Sequence, residues 1–135
     1  FEPAADCSSP QQLGPQLHCA ATEPLRQELL AAGSSSGDVF FWDERLPGAA
    51  ACVVAAHGAD VWHAAFCQTG YGSFFTCSSD GALLAWHDDA DGAPSPSRTL
   101  LQYELPVNSF DVSAEHGALV VASDAEELAV LDLRA

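Results

Sequence analysis

An all-β fold built from a repeated four-stranded unit is predicted by three features of the sequence. Gly37-Asp38-Val39-Phe40-Phe41-Trp42-Asp43 and Gly81-Ala82-Leu83-Leu84-Ala85-Trp86-His87 carry glycine and tryptophan at the same offset, 44 residues apart. A second pattern repeats as well, with Val61-x-x-Ala64-x-Phe66 matched by Val107-x-x-Phe110-x-Val112. Between glycine-, proline- and aspartate-rich breaks, short apolar runs alternate on the two-residue period of half-buried strands. A unit of about 40–45 residues with four short strands has the spacing of a WD-type β-propeller blade. The chain therefore reads as three consecutive WD blades, the C-terminal portion of a longer, seven-bladed propeller.

The strands follow in order. The first blade runs from Leu17 to Ala21, Leu29 to Ala32 and Val39 to Trp42, and out along Cys52 to Ala55. The middle blade has Trp62 to Phe66, Phe74 to Cys77, Leu83 to Trp86, and an outer strand near Thr99 to Gln102. The Pro/Ser-rich stretch from Asp91 to Ser97 before that outer strand reads as a flexible insertion. The last blade has Val107 to Val112, Leu119 to Ser123 and Leu128 to Leu133. Extending the 44-residue offset puts Leu84 on Leu128 and Trp86 on Val130, so Leu128 and Val130 are expected on the buried strand face. The domain organisation is then a linker over 1–15 and three blades over 16–135, at about 16–56, 57–103 and 104–135.

Composition narrows the function classes. The 135 residues are 48% apolar and carry 19 acidic side chains against four arginines and no lysine, a net charge of −15. Such a surface repels phosphate backbones and anionic lipid heads, and favours a basic protein partner. Direct nucleic-acid or membrane binding is not expected. The five cysteines, Cys7, Cys19, Cys52, Cys67 and Cys77, include no Cys-x-x-Cys pair. Several fall within apolar runs and read as free thiols packed as small hydrophobes in a reducing compartment. With no methionine anywhere and no basic N-terminal region, the chain reads as a fragment of a longer protein or a processed one.

The middle blade carries the fullest signature: His57, four residues before Val61; Thr76 on the second strand; Asp80 in the Asp-Gly turn; and Trp86. Residues so placed form a structural tetrad in which tryptophan N–H, hydroxyl, imidazole and carboxylate are hydrogen-bonded in series. A buried indole needs an acceptor, and a buried His–Asp pair pins loop to turn. The first blade keeps Trp42 and Ser36, the last Asp124.

Enzymatic readings fare poorly. His57 and Asp80 with a nearby serine evoke a catalytic triad, yet the repeat already accounts for both, and no Gly-x-Ser-x-Gly elbow presents a nucleophile. His57, His63, Cys67 and Cys77 have spacings that match no standard zinc site, and strand alternation scatters them over different faces. Gly33-Ser34-Ser35-Ser36-Gly37 resembles a phosphate loop in composition only, since it lacks the Gly-Lys-Ser/Thr ending and a following helix. No catalytic residue, metal or cofactor is expected.

Trp42-Asp43-x-Arg45, after Leu30-Ala31-Ala32-Gly33, fits the box of WD proteins that dock onto the adaptor of cullin-type ubiquitin ligases. Trp42, Asp43 and Arg45 are thus candidate partner-binding residues. The plainer reading is that Trp42 packs the blade and Arg45 is a solvent-exposed residue after the strand.

Beyond the generic repeat, the chain resembles one family, the WD-repeat nucleoporin of the short arm of the Y-shaped scaffold complex of the nuclear pore. The residues that carry the likeness are Leu17-His18-Cys19, Trp42-Asp43-x-Arg45, Ala56-His57 with Trp62-His63-x-x-Phe66, Phe75-Thr76-Cys77-Ser78-x-Asp80-Gly81 with Trp86, and Val107-Asn108-Ser109-Phe110-Asp111-Val112 with Ser123-Asp124-Ala125-Glu126. The likeness covers most of 16–135; the insertion after Trp86 is shorter than in animal members. It implies a scaffold role in the outer rings of the nuclear pore complex, serving mRNA and protein transport indirectly through contacts with helical-solenoid nucleoporins in a heteromeric complex. It implies a location at the nuclear envelope and no catalytic residue. A WD-repeat substrate receptor of a cullin-type ubiquitin ligase is the alternative.

Overall fold

The structure is a computed structural model and describes residues 14–24, 29–43, 52–88 and 94–134. Among these there is no helix, and eleven strands form three antiparallel sheets. The first sheet joins β1 (Leu17–Thr22), β2 (Leu29–Ser34), β3 (Asp38–Asp43) and β4 (Cys52–Ala55) in that order. The second joins β5 (Val61–Thr69), β6 (Gly72–Ser78), β7 (Ala82–Asp88) and β8 (Pro94–Gln102). The third joins β9 (Val107–Ser113), β10 (Ala118–Ser123) and β11 (Ala129–Asp132). The fold is all-β, a partial WD-type propeller.

Two apolar layers hold the sheets together. Between the first and second sheets lie Ala31, Val39, Phe41, Val61, Phe74, Leu84 and Trp86. Phe41, Phe74 and Trp86 meet edge to face there, with ring centroids 5.4–5.6 Å apart, the arrangement that aromatic quadrupoles favour. Between the second and third sheets lie Phe75, Leu83, Ala85, Val107, Phe110, Leu119 and Val121. Along β7 the alternation sends Leu84 and Trp86 to one layer and Leu83 and Ala85 to the other. The middle sheet is thus covered on both faces, and five consecutive residues of β7, Ala82 to Trp86, are buried.

Glycine is required at two matched turns. Gly37 and Gly81 have φ of 88° and 84°, a region side chains rarely adopt. A Cβ at either would collide with backbone, the His57 carbonyl at Gly37 and the Tyr103 carbonyl at Gly81. Both carbonyls of the turn glycines accept from the chain crossing them, His57 N–H at 3.0 Å and Tyr103 N–H at 2.8 Å. The glycine repeat is therefore where each sheet is tied to the connection leading to the next.

Two expectations need correction. Leu128 and Val130 are 69% and 68% exposed, while Ala129 and Leu131 pack into the second layer. The spacing lengthens by one residue in the last sheet, so the strand position of Trp86 falls to Leu131. A one-residue slip in a strand exchanges its two faces. The stretch read as a flexible insertion is also partly strand, because β8 begins at Pro94 and pairs Pro96 with Trp86 and Pro94 with Asp88. An edge strand tolerates proline, which only forfeits an N–H that the ladder does not need on its open side.

Candidate functional site

The middle sheet brings His57, Thr76, Asp80 and Trp86 into one chain of hydrogen bonds. Trp86 is placed by β7, Thr76 by β6, Asp80 by the turn between them, and His57 by the connection from β4 to β5. The indole Nε1–H of Trp86 donates to Thr76 Oγ1 at 2.9 Å, and Thr76 Oγ1 lies 2.8 Å from His57 Nε2. His57 Nδ1 sits 3.2–3.3 Å from both carboxylate oxygens of Asp80. Asp80 also accepts the amides of Gly58 at 3.0 Å and Ala82 at 2.9 Å. The carboxylate thereby clamps the connection and the turn on either side of it.

Protonation follows from this network. Burial pushes the His57 imidazole below the ordinary histidine range, and the nearby Asp80 charge only partly opposes it. A neutral ring fits every contact: Nδ1–H donates to Asp80, Nε2 accepts the Thr76 hydroxyl, and that hydroxyl accepts from Trp86. Burial works to raise Asp80, but the Gly58 and Ala82 amides and His57 outweigh it and hold the carboxyl below its usual value. Every buried side-chain nitrogen and oxygen among the described residues has a partner.

The chemistry open to this arrangement is structural. Both ring nitrogens of His57 are occupied, and its oxygen neighbour is a buried threonine on an indole. Ser78, which ends β6 just before the turn, is engaged with the Ala59 carbonyl at 3.1 Å and the Asp80 amide at 3.1 Å. His63 meets the Phe110 ring edge to face, with centroids 4.6 Å apart. Among the described residues no group of three or more His, Cys, Asp or Glu side chains is placed to hold a metal. Cys19, Cys52, Cys67 and Cys77 are free thiols, and burial pushes Cys77 up to about 12. Cys7 lies outside the described residues.

The flanking sheets keep only parts of the tetrad. In the first, Trp42 is half-buried and stacks on Phe40 at 5.9 Å, and Ser36 bonds Ser34 and Asp38. In the third, Asp124 is exposed and accepts from Asn108 at 2.7 Å. Of the candidate partner box, Trp42 and Asp43 end β3, and Arg45 lies outside the described residues.

One cluster escapes a strand-by-strand reading. His18 on β1 stacks on Trp62 of β5, with centroids 4.3 Å apart and planes 24° from parallel. His18 Nε2 lies 3.3 Å from Asp60 Oδ1, and Trp62 Nε1–H donates to Ser79 Oγ. Trp62 is quoted in the sequence resemblance, but its meeting with a histidine 44 residues earlier depends on how two sheets sit side by side.

Comparison with known proteins supplies the remaining observation. No protein-family model matches the chain. It is 37% identical over 81 residues to nucleoporin Nup43 of Mus musculus, covering 60% of this chain and 21% of that protein. It is 36% identical over 74 residues to nucleoporin Nup43 of Homo sapiens, covering 55% of this chain and 19% of that protein. Over that stretch the chain is Nup43-like. The match spans about a fifth of the length of these relatives, so it speaks for a WD-repeat segment of the Nup43 kind. The WD-repeat nucleoporin resemblance read from the residues points to the same proteins.

Proposed function

We propose that the chain is part of a WD-repeat nucleoporin that acts as a structural subunit of the nuclear pore outer ring, located at the nuclear envelope. It supports passage of mRNA and protein by holding other subunits in place, with no catalysis of its own. The Nup43 likeness carries this reading. The tetrad supports it, because the residues an enzyme would use are consumed in fastening a turn to a connection. The partners on this reading are helical-solenoid scaffold nucleoporins. The blade boundaries at about 16–56, 57–103 and 104–135, and the linker over 1–15, belong to the same proposal.

The test uses the full-length protein carrying this segment, fluorescently tagged in cells and recovered from extract. The expected outcome is a rim at the nuclear envelope and near-stoichiometric co-purification of large helical scaffold subunits, with Arg45→Ala behaving as the parent. A diffuse signal, with recovery of a cullin adaptor that Arg45→Ala abolishes, would replace this reading with the ligase receptor.

A further inference from the structure

Among the described residues, exposed apolar side chains mark one end of the sheets. At one end, three matched backbone bonds tie a turn to the start of an inner strand: Ser35 N–H to the Gln16 carbonyl at 2.8 Å, Ser79 to Asp60 at 3.0 Å, and Asp124 to Pro106 at 3.0 Å. Beside each bond stands a large exposed hydrophobic, Leu17 at 50%, Trp62 at 39% and Leu105 at 47%. The others among the described residues, Val53, Val120, Leu128 and Val130, lie on or beside the outer faces of the end sheets. The turns described in full at the opposite end, 69–72 and 114–117, carry none.

Aromatic and acidic side chains stand close together at this end. The Trp62 indole is fixed by Ser79 below and by the His18 ring on one side, and His18 is itself anchored by Asp60. An aromatic side chain already immobilised loses little further freedom on binding, a property of interface hot spots. In the neighbouring sheet, Tyr103, Glu104, Leu105 and Ala125 line an open depression of about 270 Å³. Glu104 and Asp124 are exposed there, and the Asp60 side chain is 37% exposed beside His18. With a net charge of −15 over the chain, the surface complements a positive partner.

We propose that this end is a docking surface for a basic segment of a partner protein, an arginine stacking on Trp62 beside Asp60 and an aliphatic side chain entering the depression at Leu105. A guanidinium suits the site better than an ammonium, since it is planar, weakly hydrated and stacks on an indole face while pairing with a carboxylate. The proposal rests on the reading of the chain as a holder of partner proteins, but not on which assembly it joins.

The probe is a fluorescein-labelled Gly-Arg-Gly-Leu-Gly-Arg-Gly peptide, titrated with the full-length protein by fluorescence anisotropy, against the same peptide with citrulline in place of arginine. We expect saturable binding, weakened about tenfold by citrulline and by Trp62→Ala, and about threefold by Leu105→Ser. Glu115→Gln, an exposed acid at the opposite end, should leave affinity within about twofold. Leu105, 47% exposed in a connection, lies outside the apolar layers between the sheets, so Leu105→Ser decides the matter if Trp62→Ala lowers the melting temperature. Absence of saturable binding, indifference to citrulline, or equal losses for Leu105→Ser and Glu115→Gln would overturn the docking surface. A nuclear rim with no preference for arginine sinks this proposal alone; the preference without a rim sinks only the pore assignment.

Discussion

The second and third sheets share a strand order and a repeat, yet they are held by different means. In the second, both faces are covered, and a polar chain from Trp86 to Asp80 runs from the interior out to the turn. In the third, the covered face among the described residues is the one with Ala129, Leu131, Leu119 and Val121, and the place of Trp86 is taken by a half-buried leucine. Asp124, beside the turn, meets an exposed asparagine instead of a buried histidine. The third sheet is seated by apolar burial together with backbone bonds and an exposed side-chain pair, with no buried polar relay among the described residues. The tetrad adds register and a fixed junction between sheets, since a hydrogen-bonded relay is satisfied in one alignment only.

The largest effect should come from the indole. Trp86→Ala removes a fully buried side chain that touches Phe41 and Phe74 and leaves Thr76 without its donor. The loss should be about 3–5 kcal/mol in denaturant unfolding of the full-length protein. Leu131→Ala, at the matching position, should cost about 1–2 kcal/mol because the side chain is only half-buried. Equal losses would mean the two sheets are fastened alike.

Asp80→Ala comes next. It strips His57 Nδ1–H, Gly58 N–H and Ala82 N–H of one shared acceptor. Leaving a buried imidazole donor unmet should cost about 1–3 kcal/mol, read from the shift in denaturant midpoint. Thr76→Val should fall in the same range, since it keeps the shape but removes the hydroxyl that joins indole to imidazole.

Acid should loosen the middle sheet before the last one. Burial holds His57 below the ordinary range, so the unfolded chain takes up that proton first. The stabilisation is intact above about pH 6.5 and declines as pH falls from there through the folded value. Asp80, held below its usual value, adds a contribution that is present above about pH 3.9 and is lost only as pH falls through its folded value. Burial also lowers His63, against the pull of Asp111, and that group acts in the same direction. Melting temperature of the full-length protein should therefore fall between pH 7 and pH 5, with a shallower slope in His57→Gln that leaves the His63 share. An unchanged slope in that variant would remove His57 from the account.

How far the sequence exposes this comparison depends on the kind of interaction. Strand positions are legible because alternation is local; β4 is read residue for residue, and the other windows fall on strands that differ mainly at their ends. The tetrad is legible because buried polar residues must find partners, and the repeat spacing says which ones. The face of β11 is not, because the paired positions Phe74–Trp86 and Leu119–Leu131 are 45 residues apart while Gly37 and Gly81 are 44 apart. Connection length sets those numbers, and extrapolating 44 across a connection of another length selects Val130 over Leu131. The start of β8 is obscured for a related reason: proline and serine signal a loop by composition, although an edge strand can carry both. The His18–Trp62 stack has no local signature, since it joins two sheets through a lateral fit that neither strand encodes alone.

The smallest effect is the sharpest check of the contrast. Asp124 occupies much the same place in the third sheet as the Ser79–Asp80 turn does in the second, and it carries the same kind of bond, a carboxylate accepting from a side-chain nitrogen. Its donor is Asn108, and both residues are exposed. Once the pair is broken, water replaces either partner, so no unmet group is left behind. Asp124→Ala should change stability by no more than about 0.5 kcal/mol, within the range of ordinary surface substitutions, whereas Asp80→Ala leaves a buried ring unpaired. Measured side by side in the full-length protein, the two variants remove the same charge and the same atoms, and differ in the donors left behind: an exposed amide at Asn108 against the buried His57 ring and the Gly58 and Ala82 amides. A loss at Asp124 as large as that at Asp80 would show that the third sheet also relies on a polar fastening at its turn, and the division between the two sheets would have to be withdrawn.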